Sequence, residues 1–365
     1  MTSLAENRVD GEAVAEALDA VLARELSRAT LLDAARRDEP VAHLHRHLVE
    51  LGLPVVALED DFAGLDLSLS AIAEVFAVVG RRLVPVSERD ETLLLAPMLS
   101  VAVRDGDATA TTWLERLLAG GLRGGARVAV DDARIRRDDD GEHAVIRLDR
   151  LPVWLGPAAE VVILATPTWT ALLDLADPGI ERVTTAALDP AQGVTIMSGT
   201  HAVSRARVCD DERARRQFLI WHVGVAAELI GVAQAMLEAS VEYAQSRLQF
   251  GKPIATYQAI SHRLADMCVA VESSRALLAR LIMLADDGHD TTALLAVVRH
   301  GVPQAARQVC EGAIQIHGGL GFTWEQGLHL WYRRVLQIQA AFGGPSATAH
   351  ATGQAYLDAI TARDE

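Results

Sequence analysis

The last third of the chain constrains the fold most. Phe218, Trp221, Val225, Leu229, Val232, Met236 and Tyr243 make one apolar stripe along about seven helical turns. Ile260, Leu264, Met267, Val271, Leu278 and Ala285 make a second, and Leu294 to Ile314 a third, where Pro303 is expected to introduce a kink. A final helix is expected after Trp324. Stripes of this kind, joined by short breaks, are buried most simply against one another. Residues 211–365 are therefore expected to form an antiparallel four-helix bundle.

The rest of the chain divides by pattern. Residues 1–119 read as a helical domain, with apolar spacing through Val14, Leu18, Val21 and Leu22 and an apolar helix over Ala71–Gly80. Ser68 is placed to cap the start of that helix and Gly80 its end. Residues 120–210 carry short apolar runs between Asp, Gly and Pro: Arg127 to Val130, His143 to Leu148, Val161 to Ala165, Thr170 to Leu175 and Gly193 to Met197. These predict a small β domain. The expected fold class is α+β, mainly α, in the order helical domain, β domain, bundle.

Charge and composition narrow the function. A formal charge of −15 excludes binding that works by neutralising nucleic-acid phosphates, and a half-hydrophobic composition excludes a disordered chain. Cys209, Cys268 and Cys310 are far apart and fit buried, reduced thiols. Met1 to Asp10 lacks the apolar core of a signal peptide, and no apolar stretch is expected to reach the roughly 20 residues of a membrane span. These features predict a soluble, cytoplasmic chain with neither nucleic acid nor membrane as partner.

Motifs of self-sufficient chemistry are missing: there is no GxGxxG, GxxxxGK[ST], GxSxG or HExxH. His43, His45 and His47 cluster, but only His43 and His47 would share a helix face; a solvated surface is the better reading, and no metal site is expected. Two stretches fit poorly as helix filler. Ser246–Gln258 interrupts two stripes, with Gly251 and Pro253 ending the first helix and Arg247 near orphan carbonyls that favour a cation. Gln315–Trp324 holds three glycines in four positions, which suits either a diphosphate cradle or a tight helical corner.

Taken together and in this order, the motifs resemble the acyl-CoA dehydrogenase family. The resemblance is carried by Arg247-x-Gln-Phe-Gly-Lys, His262-x-Leu-Ala-Asp-Met267, Gln315-Ile-His-Gly-Gly-x-Gly-Phe-Thr-Trp-Glu325 and Tyr332-Arg-Arg334. The loop Asp60–Ser68 also resembles the family's Glu-x-x-Gly-Gly-x-Gly-x-Ser turn, departing from it at Asp60, Ala63 and Asp66. The resemblance implies the three-part architecture already read, FAD as cofactor and an acyl-CoA thioester as substrate. A Glu would remove the α-proton while the flavin takes the β-hydride. It further implies that Arg247, Gln249, Phe250, Gln315, Gly318 and Gly319 reach the diphosphate and adenosine end of FAD across a subunit interface.

Other parts of the family pattern are absent. The loop that carries the usual catalytic Glu reads Ala341-Phe-Gly-Gly-Pro-Ser346, with Phe342 at the Glu position. The alternative position near the first bundle helix holds Trp221-His222. The family's flavin-ring stretch has no counterpart between Val86 and Ala165; Ser87–Asp90 and Trp154–Gly156 are poor substitutes. No catalytic residue is therefore assigned. The expected role is that of an incomplete subunit, completing the FAD site of a homologous partner in a heterotetramer. The alternatives are a homo-oligomeric enzyme with a displaced base (His222, Asp287 or Glu325), and a flavin-free scaffold or CoA-ester binder.

Overall fold

The computed structural model describes residues 11–37, 43–130, 132–139, 143–156, 158–189, 193–210 and 212–364; the segment Met1 to Asp10 considered above lies outside them. Helices come first: α1 (Gly11–Glu25), α2 (Arg28–Arg37), α3 (Leu44–Glu50), α4 (Leu69–Arg81), α5 (Val86–Asp90), α6 (Ala96–Arg104) and α7 (Ala108–Leu118). Eight strands follow: β1 (Gly124–Val128), β2 (Ile135–Asp139), β3 (His143–Trp154), β4 (Val161–Ala165), β5 (Thr170–Asp174), β6 (Ile180–Thr185), β7 (Val194–Ser204) and β8 (Val208–Cys209). The remainder is α8 (Glu212–Ser246), the hairpin β9 (Leu248–Gln249) and β10 (Lys252–Pro253), α9 (Gln258–Asp286), α10 (Thr292–His317), α11 (Leu328–Ala341) and α12 (Gly344–Asp364). This is the mainly helical α+β order that the sequence predicts.

The chain folds as two compact units. One contains Ala34–Ser68 and Val84–Trp221, the other Gly11–Asp33, Leu69–Leu83 and His222–Glu365. In the first, a sheet in the order β6-β7-β3-β1-β4-β5-β8 has β2 pairing with β3. β1 runs parallel to β4, and the other pairings are antiparallel. Ile146, Leu148, Leu151, Val153, Val162, Leu164, Leu173 and Met197 pack in one core, and β1 and β4 are buried at every position. Strands β2 and β6 are not among the runs read from sequence. Ile135-Arg-Arg-Asp-Asp139 is nearly all charged and Glu181 to Thr185 is exposed, so neither carries an apolar alternation.

In the second unit α10 packs on α9, α11 and α12, and α1 on α4. Gly80 is not a helix end: it lies inside α4, where a Cβ would sit 1.8 Å from the carbonyl oxygen of Glu228. Gly231 makes the reciprocal approach, its Cβ falling 1.9 Å from the Ala77 carbonyl oxygen. Two glycines thus let α4 and α8 cross backbone to backbone. α10 continues across Pro303. The single final helix expected after Trp324 is two, α11 and α12, broken at Phe342-Gly343, where Gly343 and Gly344 take φ of 90° and 85°.

Two composition-based readings need correction. α8 is long and apolar enough to cross a membrane, with an 18-residue window of mean hydropathy 1.5, but 83% of that window is buried inside the structure, as in a core helix. Cys209 and Cys310 are buried, and desolvation pushes the Cys310 thiol far up, whereas Cys268 is exposed on α9.

Candidate cofactor-binding site

The end of α8 and the end of α10 meet through their side chains. The Tyr243 and His317 rings stack with centroids 4.3 Å apart, and His317 Nδ1 donates to the Ala313 carbonyl at 2.8 Å. Burial holds the His317 imidazole below its usual range, which favours this neutral stack. Each residue lies close to a motif: Arg247 follows Tyr243 by one helical turn, and Gly318 directly follows His317 within the glycine motif. The stack therefore brings the Arg247–Lys252 stretch and the glycine turn to the same end of the bundle unit. Sequence spacing alone gives no sign of this contact, because Tyr243 reads as one more stripe residue.

Beyond α8 the chain reverses in a two-residue hairpin, with Gln249 paired to Lys252 and Leu248 to Pro253. Phe250 and Gly251 occupy the turn with φ of 52° and 81°, the double positive φ of a type I′ hairpin. Glycine suits this geometry, whereas an aromatic residue is strained there by roughly 1–2 kcal/mol. The strained Phe250 ring is 93% exposed and makes an edge contact to Tyr257 at 6.5 Å. Tyr257 braces the hairpin by donating to the Gln249 carbonyl at 3.0 Å and lying under the Lys252 ammonium at 4.4 Å. Arg247 and Gln249 are exposed, and Arg247 has no side-chain partner among the described residues.

The glycine turn is open in the same way. Gln315, Gly318 and Gly319 are exposed. Gly318 has φ of 59° and ψ of −135°, a conformation essentially restricted to glycine, and a Cβ at Gly318 or Gly319 would meet nothing within 4 Å. Gly321 has a structural reason instead, since its Cβ would lie 2.5 Å from the Ile314 carbonyl oxygen. Phe322 is 78% exposed beside them. A free guanidinium, two carboxamides, an open glycine backbone and a solvent-facing aromatic ring form a donor set suited to a diphosphate joined to a flat ring system.

The positions where a base was sought are occupied differently. Trp221 is buried in the first unit, its indole Nε1 donating to Asp90 Oδ1 at 2.8 Å and its ring lying under the Arg89 guanidinium at 5.1 Å. Arg89 also donates to Asp90 Oδ1 from Nε and Nη2, at 3.0 and 2.9 Å. The Asp90 carboxylate is thus engaged by Arg89 and Trp221 and is 2% exposed. In the second unit Phe342 is half-buried, stacked on His222 with centroids 5.6 Å apart and lying under the Arg299 guanidinium at 5.2 Å. Asp287 caps the end of α9 and Glu325 is exposed in the turn before α11.

The Asp60–Ser68 loop keeps its turn despite its altered sequence. Ala63 and Asp66, which replace glycines of the resembled pattern, still take φ of 53° and 40°. Gly64 is retained where a Cβ would fall 2.0 Å from the Leu58 carbonyl oxygen.

A second polar cluster lies within the first unit and was not legible in sequence. His43 sits outside α3 in a left-handed conformation, while His45 Nδ1 pairs with Glu88 Oε2 at 2.9 Å. Arg123 bridges Glu88 and Glu91, each at 2.9 Å, and the Gly124 amide donates to Glu91 at 2.9 Å. His45, Glu88 and Glu91 have the proximity of metal ligands, but Arg123 already supplies the positive charge they need. Glu91 opens a π-helical turn, Glu91–Leu95, and burial pushes its carboxyl up to about 8, against the pull of Arg123. A carboxyl whose folded pKa exceeds its unfolded value favours the folded state at low pH, and that contribution disappears as pH rises through the folded value. Stability from this group therefore falls between about pH 5 and 8. Glu91→Gln, which stays neutral, should flatten that fall when urea midpoints are measured from pH 6 to 9; a slope equal to wild type would contradict the assignment.

The chain is similar to known proteins in sequence and in fold. Residues 212–353 match the C-terminal domain of acyl-CoA dehydrogenases. Acyl-CoA dehydrogenase IpdE2 of Mycobacterium tuberculosis is 28% identical over 297 residues, covering 78% of this chain and 77% of that protein. Among solved structures, a variant of the Tcur3481-Tcur3483 steroid acyl-CoA dehydrogenase superposes with a TM-score of 0.80 at 21% identity, over 96% of this chain and 98% of that one. The ChsE4-ChsE5 complex of Mycobacterium tuberculosis also gives 0.80, at 19% identity, over 94% of this chain and 96% of its counterpart. Residues 212–353 are thus similar to the acyl-CoA dehydrogenase C-terminal domain, and the fold over nearly the whole chain is that of acyl-CoA dehydrogenases.

Proposed function

We propose that this chain is a non-catalytic subunit of a heteromeric, FAD-dependent acyl-CoA dehydrogenase. Arg247, Gln249, Phe250, Gln315, Gly318 and Gly319 would hold the diphosphate and adenosine end of an FAD whose flavin ring lies in a homologous partner. FAD supplies the acceptor for the β-hydride of an acyl-CoA thioester, and the partner supplies the carboxylate that removes the α-proton. This chain's residues bind and orient. The Arg247 guanidinium and the glycine turn neutralise and hydrogen-bond phosphate oxygens, Phe250 offers a stacking surface, and the hairpin keeps these groups facing outward.

The observation that carries this reading is Phe250. A strained backbone presenting a nearly fully exposed aromatic ring next to an unpartnered arginine is hard to account for within one chain and suits a ligand shared with a second. Two further features support it. Trp221 and Phe342 cannot take a proton and are packed by Arg89 and Arg299, so the two places where the family resemblance puts a base hold arginine-capped aromatic rings. The similarity to two-component assemblies such as ChsE4-ChsE5 points the same way. Acyl-CoA oxidation measured on the chain alone and on the chain co-expressed with an acyl-CoA dehydrogenase homologue should show turnover only in the pair. Turnover by the chain alone would favour a homo-oligomer with its base elsewhere.

A further inference from the structure

Arg28 and Leu32 lie one turn apart on the same face of α2, and that face meets the turn that follows α10. Leu32 is buried against Gly327, its Cδ2 only 2.8 Å from where a Cβ on that glycine would stand. One residue earlier, Gln326 Oε1 accepts a hydrogen bond from Arg28 Nη1 at 3.3 Å. The turn itself is compact: the Thr323 amide donates to the Leu320 carbonyl at 3.0 Å and the Gly327 amide to the Thr323 carbonyl at 3.3 Å. After burial, the Arg28 charge is the other influence that lowers the His317 imidazole, so the guanidinium stands near the ring that immediately precedes Gly318. Arg28 is thereby tied to both ends of the glycine turn.

The tie leaves its charge unmatched. Arg81, Arg82, Arg307 and Arg334 in the same unit each meet a carboxylate. Arg28 is exposed and meets none among the described residues; its partner Gln326 is neutral and engages one edge of the guanidinium. The rest of the fork is available to a ligand at the turn. Each phosphate of a diphosphate carries a negative charge, so a single arginine compensates half of it, and a second guanidinium is the matching complement. We propose that Arg28 is a further binding residue of the cofactor site, reaching the FAD diphosphate from α2 while Arg247 reaches it from the end of α8. This rests on the reading of the site given above, and it goes beyond the resemblance, which assigns nothing to α2.

The test uses the chain co-expressed with a homologous catalytic subunit. Deflavinated complexes carrying wild type, Arg28→Ala, Arg28→Lys or Arg247→Ala are titrated with FAD, and bound flavin is read by its absorbance after gel filtration, which also reports assembly. Arg28→Ala is expected to raise the dissociation constant for FAD about tenfold. Arg28→Lys should recover part of that loss, because an ammonium keeps the charge but lacks the fork. The elution volume of the complex and the Tm of the isolated chain should not change, since the side chain is exposed and gives up one neutral hydrogen bond. FAD held by Arg28→Ala as tightly as by wild type, while Arg247→Ala loses it, would overturn the proposal and leave the rest of the site standing. Undiminished flavin in both variants would remove the site itself and Arg28 with it. A complex that no longer assembles, or an isolated Arg28→Ala chain with a lowered Tm, would make Arg28 a packing residue and overturn its role toward FAD.

Discussion

Replacing Arg247 with alanine is expected to strip flavin from the assembled enzyme without disturbing the fold. The side chain is exposed and has no partner within the described residues, so its removal takes away no internal contact, and thermal unfolding of the isolated chain should be unchanged. In a complex with a catalytic partner the same change removes a charge-assisted contact to a diphosphate, and FAD retention should weaken roughly tenfold to a hundredfold. Arg247→Lys should recover only part of this, because an ammonium lacks the guanidinium's planar fork. Absorbance of bound flavin after gel filtration measures the effect. Undiminished flavin in Arg247→Ala would remove Arg247 from the site, and with it the argument that this chain completes a neighbour's cofactor pocket.

The largest effect on stability is expected at Arg334. Its guanidinium donates to Glu228 Oε1 at 2.6 Å, and both side chains are fully buried in the bundle unit. Arg334→Met leaves the Glu228 carboxylate buried without its counter-charge, which should destabilise by about 3–5 kcal/mol. Arg334→Met combined with Glu228→Leu removes both charges and should recover most of that loss, since replacing a whole buried pair by apolar groups is often close to neutral. Urea midpoints at constant m-value report the comparison. A double variant as unstable as the single one would mean that the pair contributes through shape rather than charge. The motif Tyr332-Arg-Arg334 thus contains a structural residue, Arg334, that takes no part in the proposed cofactor contacts.

The bundle and the order of elements could be read from sequence because apolar stripes report directly on buried helix faces. Strands β4 and β5 were legible as apolar runs for the same reason, whereas the run read at Arg127 to Val130 overlaps β1 only at Arg127 and Val128. What escaped is what periodicity does not encode. β2 and β6 are polar edge strands whose pairing depends on β3 and β7. Gly80 looks like a cap until α8 is placed against α4. The six residues proposed to contact the cofactor were named through resemblance, and residue type alone left Arg247 open to a helix-dipole reading. Their exposure, the strain at Phe250 and the Tyr243–His317 stack come from tertiary structure. The arginines packed on Trp221 and Phe342 were also invisible, because Arg89 and Arg299 lie far from those rings in sequence.

The central claim is that this chain holds one end of a flavin it cannot hold alone. The visible spectrum of the purified chain, taken alone and after co-expression with a homologous catalytic subunit, tests it most directly. The account predicts a colourless chain and a yellow complex containing one FAD per pair. A yellow chain on its own, carrying stoichiometric FAD, would contradict it.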